Sequence, residues 1–162
     1  MKLFCFILLL ISPSLFTPDL AQIRKDFKLA TNNRESALAL RDKLEPITKE
    51  DNKLLVAYKG AVMALSAKYT KENVERKNLF KNGISLLEYA VSQKPDNIEI
   101  RCLRLSIQEN SPKFLKYKSN IQEDKTYILN HYEKTNSEVV KDFVKSFILQ
   151  STEFNTEEKQ RF

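Results

Sequence analysis

Residues that break helices are scarce in this chain. Only two glycines and five prolines occur among its 162 residues, whereas the pair averages roughly 12% of soluble proteins. So few turn-forming residues exclude collagen-like and turn-dense all-β architectures. Hydrophobic residues make up 42% of the chain and aromatic residues 10%, which excludes a wholly disordered chain. We therefore expect a protein built mainly from helices.

Apolar residues recur at helical spacing almost from end to end. Seven segments show the pattern, and each predicts a helix. The stripes are Leu20/Ile23/Phe27/Ala30, Ala37/Leu40/Leu44/Ile47, Leu54/Tyr58/Ala61/Leu65/Tyr69, Leu79/Gly83/Leu87/Ala90, Ile98–Asn110, Phe114/Tyr117/Ile121/Ile128 and Val139/Val140/Phe143/Val144/Phe147/Ile148. Short connectors make successive helices antiparallel neighbours. The predicted fold is all-α, a stack of antiparallel helical hairpins.

Two of the predicted helix starts depend on recognisable capping residues. Asp96 or Asn97 can cap the helix that follows the Pro95 break. Ser111 is expected to cap the sixth helix, with Pro112 in its first turn.

The segment Ile98–Asn110 has an ambiguous pattern. Its apolar residues partly alternate, as in a strand, but on a helical wheel they cover two opposed faces. The remaining stripe contains Arg101, Arg104 and Gln108. We interpret the segment as a helix packed between two neighbours.

The first 21 residues have the pattern of a secretory signal peptide. Lys2 supplies a positive charge, and Leu3–Ile11 is an uncharged apolar run, shorter than the about 20 residues that span a membrane. A buried N-terminal helix is the alternative, which the helix-breaking residues Pro13 and Pro18 disfavour.

Cleavage of this peptide after Ala21 is favoured, and cleavage after Ser14 is the alternative. The predicted organisation is a signal peptide (1–21), a helical-hairpin domain (22–150) and a flexible polar tail (151–162). Such a protein would be secreted or periplasmic.

Cysteine and histidine are too few for several kinds of site. Two cysteines and one histidine exclude a disulfide scaffold and Cys-based or multi-His metal sites. Cys102 is expected to be a small buried residue. The sequence places no nucleophile or orienting acid beside His131, and it has no Gly-rich phosphate loop or zinc motif. We predict no enzymatic activity, cofactor or metal.

The spacing Gly83-x3-Leu87-x2-Ala90-x4-Pro95 resembles the second half of a tetratricopeptide repeat. Tyr58-Lys59-Gly60-Ala61 resembles part of the first half, but Gly60 lies about 11 residues farther from Gly83 than a standard repeat allows. Roughly 60 residues share this resemblance, which implies a stack of helical hairpins. Small residues on the third helix (Ala57, Gly60, Ala64 and Ala67) fit close helix packing.

The whole chain also resembles uncharacterised small exported helical proteins of bacteria. The segments that carry this resemblance are Tyr58–Ala61, Pro95–Arg101 and Ile107–Asn110. The resemblance implies a bacterial cell envelope location and no particular activity.

Arg101 and Arg104 are the leading candidates for a binding site. Being three residues apart, they can present both guanidinium groups on one helix face and clamp a ligand carboxylate. With Gln108 beside them and Lys59 and Met63 continuing the surface, they would favour an acidic peptide. The alternative is that both arginines pair with acids of the protein itself.

A run of basic residues, Lys68–Lys81, contains five cations and two acids. We interpret it as a solvated helix face, since interleaved acids and export argue against nucleic-acid binding.

These features predict a non-enzymatic module of the bacterial cell envelope that binds a protein or peptide. The alternative is a basic helical protein that associates electrostatically with membrane or cell-wall polymer. High salt would abolish that association.

Overall fold

The structure, a computed structural model, describes residues 18–162. This part of the chain forms eight α-helices and contains no strand, so the predicted all-α fold is confirmed. The helices are α1 (Leu20–Ala30), α2 (Arg34–Lys43), α3 (Lys53–Ser66), α4 (Asn73–Gln93), α5 (Ile98–Asn110), α6 (Ile121–His131), α7 (Glu138–Gln150) and α8 (Thr156–Lys159). Residues 1–17 of the predicted signal peptide lie outside the described residues. None of the helices within 18–162 is long and apolar enough to cross a membrane.

Short polar side chains begin most of these helices. Asp19 accepts a hydrogen bond from the backbone N–H of Ala21, Asn97 from that of Ile100, and Ser137 from that of Val140. These bonds satisfy N–H groups that the first helical turn leaves without partners. Asn97, one of the two residues predicted to cap this helix, is therefore the N-cap of α5.

Helix α5 is central because it joins two hydrophobic clusters. Ile100, Leu103 and Ile107 belong to the larger cluster, which is built with α1 to α4. Ile98, Cys102 and Leu105, on another face, belong to a smaller cluster with α6, α7 and the C-terminal segment. The ambiguous segment is therefore a helix packed between neighbours, as predicted.

The two glycines of the chain face each other where α3 packs against α4. A Cβ atom added to Gly60 would lie 2.6 Å from the Gly83 carbonyl oxygen, and one added to Gly83 would lie 2.6 Å from the Ala64 nitrogen. Only a residue without a side chain permits this approach of two backbones. Ala57, Ala64, Ala67 and Ala90 are also buried, so the predicted packing role of these small residues is confirmed.

The predicted start of the sixth helix is wrong. The Ser111 hydroxyl donates a hydrogen bond to the Ile107 carbonyl, 2.5 Å away, and so caps nothing downstream. Pro112 precedes a single 3-10 turn, Lys113–Leu115, which ends at Lys116 in the left-handed conformation (φ 52°). Helix α6 begins only at Ile121.

Residues 151–162, predicted to be a flexible polar tail, are packed against the domain in the structure. Phe154 is buried in the smaller cluster. The Phe162 ring makes an edge contact with Tyr132, with ring centroids 4.6 Å apart. A capping box between Asn155 and Glu158 forms the short helix α8. The sparse aromatic residues of a mostly polar segment therefore anchor it.

Candidate functional site

Arg101 and Arg104 converge on one buried carboxylate rather than on an open groove. Arg104 donates from Nε and Nη2 to the two oxygens of Asp124, each 2.7 Å away, and Arg101 Nη1 donates to Oδ1 at 2.9 Å. Asp124 lies on α6 and is fully buried, and the two arginines are 8% and 4% exposed. The interaction is an intramolecular ion cluster.

Surrounding groups complete this Asp124 cluster. Arg101 also donates to Glu123 and to the Pro95 carbonyl, and Arg104 Nη1 lies 3.1 Å from a Glu88 oxygen. Burial opposes the charge of Arg104, but hydrogen bonding and attraction to Asp124 outweigh it and raise the pKa of the guanidinium. Both arginines therefore pair with acids of the protein itself, which was the alternative interpretation of the sequence. Neither guanidinium group is free to clamp a ligand carboxylate.

The other predicted site residues do not continue an open surface with these arginines. Gln108 is fully buried, and its Nε2 lies 3.5 Å from Asn120 Oδ1. Lys59 Nζ donates to two backbone carbonyls that follow α2, those of Glu45 and Ile47, at 2.6 Å each. Met63 is half-buried. The five predicted site residues therefore take part in several separate packing contacts and do not form one binding surface.

A second buried ion pair, not anticipated from the sequence, holds α1 onto the domain. Arg24 donates two hydrogen bonds of 2.8 Å to the carboxylate of Glu99, which is 1% exposed. Tyr58 donates to the same carboxylate at 2.6 Å. Burial, followed by the nearby Glu99 charge, raises the pKa of the Tyr58 hydroxyl. This triad joins α1, α3 and α5.

The described residues form a cleft of about 1170 Å³. It lies where the C-terminal ends of α1, α3, α5 and α7 meet the first turns of α4. Phe27, Phe80 and Ile107 line it and are 4%, 7% and 5% exposed. The cleft therefore has a well-packed apolar floor.

The first two turns of α4 form one wall of this cleft. We call residues 73–78 the α4 arm; every side chain in it is exposed, including Val74 at 68%. The Gly60–Gly83 contact places the arm past the end of α3. The segment between these glycines contains the end of α3, the 3-10 turn Ala67–Tyr69 and the arm.

Basic residues of the arm line the cleft. Asn73, Arg76, Lys77 and Phe80 all line it, and their i, i+3, i+4, i+7 spacing defines one helix face. Glu75 lies about 200° around the helix from Asn73, on the far side. The acids that dilute the basic run in sequence therefore do not dilute it at the cleft.

An exposed phenylalanine stands at another edge of the cleft. Phe114 lies on the 3-10 turn Lys113–Leu115, and its side chain is 79% exposed. Lys113 and Lys116, on either side of it in the chain, are also exposed. The left-handed residue Lys116 ends the turn, which fixes Phe114 outside the core. An aromatic group flanked by cations thus borders the apolar floor.

Glu109 is the one acid among the residues lining the cleft. Its Oε2 accepts a hydrogen bond of 2.6 Å from the Ser151 hydroxyl, which ties α5 to the segment after α7. Burial raises the pKa of this carboxyl, although the hydrogen bond from Ser151 opposes the effect.

Residues with catalytic potential in the sequence have structural partners. His131 Nδ1 lies 2.9 Å from the Tyr127 carbonyl oxygen, and the two rings stack with centroids 3.9 Å apart. Cys102 is fully buried, and burial raises the pKa of its thiol. Within residues 18–162 there is no group of side chains that could hold a metal ion.

No protein-family model, curated protein or solved structure matches this chain. The resemblance to tetratricopeptide units therefore stays a prediction that rests on the spacing of Gly83, Leu87, Ala90 and Pro95. The cleft was missed because its residues are spread over five segments of the chain. The local signal that could have located it is the face shared by Asn73, Arg76, Lys77 and Phe80.

Proposed function

We propose that this chain is a non-enzymatic binding module whose cleft accepts a peptide segment of a partner protein. The observation that carries the proposal is the combination of a buried apolar floor, the exposed Phe114 and a basic wall in one concavity. Exposed apolar groups at a preformed concavity are typical of binding surfaces. At about 1170 Å³, the cleft exceeds the range of about 300–1,000 Å³ usual for small-molecule sites.

Export to the bacterial cell envelope is part of this proposal. The first helix supports the alternative cleavage point, after Ser14. Cleavage after Ala21 would remove Asp19, which caps α1, and Leu20, which packs against the larger cluster. Cleavage after Ser14 would leave the whole of α1 in the mature protein.

The experiment is selection of peptides from a random library on the immobilised chain, followed by affinity measurement with two variants. Phe114→Ser removes an aromatic group at the cleft, and Leu29→Ser is the matched control. Leu29 is 60% exposed and does not line the cleft; it borders a smaller concavity between α1 and α2. Both side chains are exposed, so both variants are expected to keep the stability of the parent within about 0.5 kcal/mol.

Selected peptides should bind about tenfold or more weakly to Phe114→Ser, as expected for an aromatic anchor that a ligand buries, and normally to Leu29→Ser. Failure to select any peptide, or equal binding to both variants, would contradict the proposal. Binding of anionic vesicles that disappears in high salt, with no peptide binding, would instead support the electrostatic alternative.

A further inference from the structure

We propose that the occupant of the cleft is an acidic amphipathic helix of a partner protein, lying along the α4 arm. The inference rests on the proposed function and names the conformation and charge of the peptide. Three features support it: the arm is exposed, residues 18–162 offer no sheet edge to an extended peptide, and cations line the cleft.

The arm is a helical segment with no covering neighbour among the described residues. All six of its side chains are exposed, whereas most helices in globular proteins gain their stability by burying one face. Arg76 donates hydrogen bonds to the carbonyls of Thr70 and Lys71, which holds the arm's first turn in place. The arm is therefore an ordered helix whose cleft-facing side remains available for packing.

A helix fits this position better than an extended peptide. Extended peptides commonly gain affinity by adding a strand to a sheet edge, and residues 18–162 contain no strand. A helix can place residues at positions i, i+3, i+4 and i+7 on one side. That side would cover Phe114 and the floor formed by Phe80 and Ile107.

Charges around the cleft select an acidic helix. Lys68, Arg76 and Lys77 line it, against one acid, Glu109. Lys68 and Arg76 donate to backbone carbonyls, which do not neutralise their charge. Lys113 and Lys116 add two exposed cations beside Phe114. Acidic residues flanking the apolar stripe of the ligand would therefore meet cations along two edges, which favours association with this sign of charge.

The test uses three synthetic peptides of equal length with leucines at i, i+3, i+4 and i+7. The first carries glutamates elsewhere, the second carries lysines in their place, and the third is the acidic peptide with a central proline. Fluorescence anisotropy gives their affinities for the full chain, and circular dichroism reports helix formation on binding. We expect only the first peptide to bind well and to gain helicity, because proline breaks helices.

Lys77→Glu and Lys71→Glu form a matched pair, since both reverse an exposed charge near the arm and only Lys77 lines the cleft. Lys77→Glu should weaken the acidic peptide about fivefold, the scale of an exposed ion pair, and Lys71→Glu by much less. Equal binding of the proline peptide or of the basic peptide, or equal effects of the two variants, would overturn the inference. If the library yields Phe114-dependent peptides that are extended or neutral, the proposed function stands and only the helix is wrong.

Discussion

Two basic clusters of this protein have opposite surroundings. Arg101 and Arg104, on α5, are almost wholly buried and share Asp124. Arg76 and Lys77, on the α4 arm, are exposed and line an open cleft. Each pair could present two cations on one helix face. The difference lies in the neighbouring helix, because α6 brings a carboxylate to α5 and no helix within residues 18–162 covers the arm.

The comparison shows that the arrangement of cations on one helix does not identify a binding site. A buried cation requires a partner, since an isolated charge away from water is strongly unfavourable. An acid of the same chain supplied that partner to the arginines of α5. We therefore assign the buried pair to stability and the exposed pair to binding, and the following predictions test that division.

The largest effect is expected for Asp124→Ala. Removing this carboxylate leaves Arg101 and Arg104 buried with incomplete partners, which should lower the free energy of unfolding by about 3–5 kcal/mol. The neighbouring variant Glu123→Gln is the control, because the Glu123 side chain is 54% exposed and exposed ion pairs contribute about 1 kcal/mol or less. Urea denaturation measures both, and similar losses would show that the Asp124 cluster is not the stabilising element.

Replacing arginine by lysine should separate the two clusters directly. Arg104→Lys keeps the charge but loses the two hydrogen bonds to Asp124, at a cost of about 1.5–3 kcal/mol. Arg76→Lys weakens the exposed hydrogen bonds to the Thr70 and Lys71 carbonyls and should cost about 1 kcal/mol or less. Thermal and urea unfolding give both values, and a loss in Arg76→Lys as large as in Arg104→Lys would contradict the division.

The packed and exposed halves of α4 should respond differently to alanine. Gly60→Ala, opposite the packed half, would place a Cβ 2.6 Å from the Gly83 carbonyl. The forced separation of α3 and α4 should cost about 1–3 kcal/mol, even though alanine favours a helix. Asn78→Ala in the exposed arm should be neutral or slightly stabilising. Unchanged stability in Gly60→Ala would mean that the helices are not in such close contact.

The smallest effect is expected for Glu109→Gln. Because burial raises the pKa of Glu109 above its ordinary value, the folded protein binds this proton more readily than the unfolded chain. The contribution of Glu109 to the free energy of unfolding is therefore lost as the pH rises from about 4.5, its ordinary pKa, through its raised pKa in the folded protein. Glutamine should stabilise the protein at pH 7 by about 0.5 kcal/mol or less and give no gain at pH 4. A gain that is equal at both pH values would exclude this cause.

Much of the fold follows from local sequence. The stripes of α1 to α5 and α7, the Asn97 cap and the contact at Gly83 were all predictable, since helical periodicity and capping act within a few residues. The start of α6 was not. Ser111 and Pro112 form a favourable helix start, but the Ser111 hydroxyl bonds back to α5, and the chain turns at Lys116 first.

The site was less predictable because it depends on distant parts of the chain. The Asp124 cluster joins residues about 20 positions apart, so the sequence could offer the structural role of Arg104 only as an alternative. The cleft needs the end of α3, the arm and the 3-10 turn at Phe114 together.

Nuclear magnetic resonance of the arginine Nε–H groups tests most directly which cations are structural and which bind. In a titration with the acidic amphipathic peptide, the Arg76 signal should shift because its side chain is exposed at the cleft, although its Nε–H also donates to the Thr70 carbonyl. The signals of Arg101 and Arg104 should exchange slowly with water and stay in place, because their Nε–H groups are held by the Pro95 carbonyl and Asp124. Shifts at Arg101 or Arg104 with none at Arg76 would contradict the account.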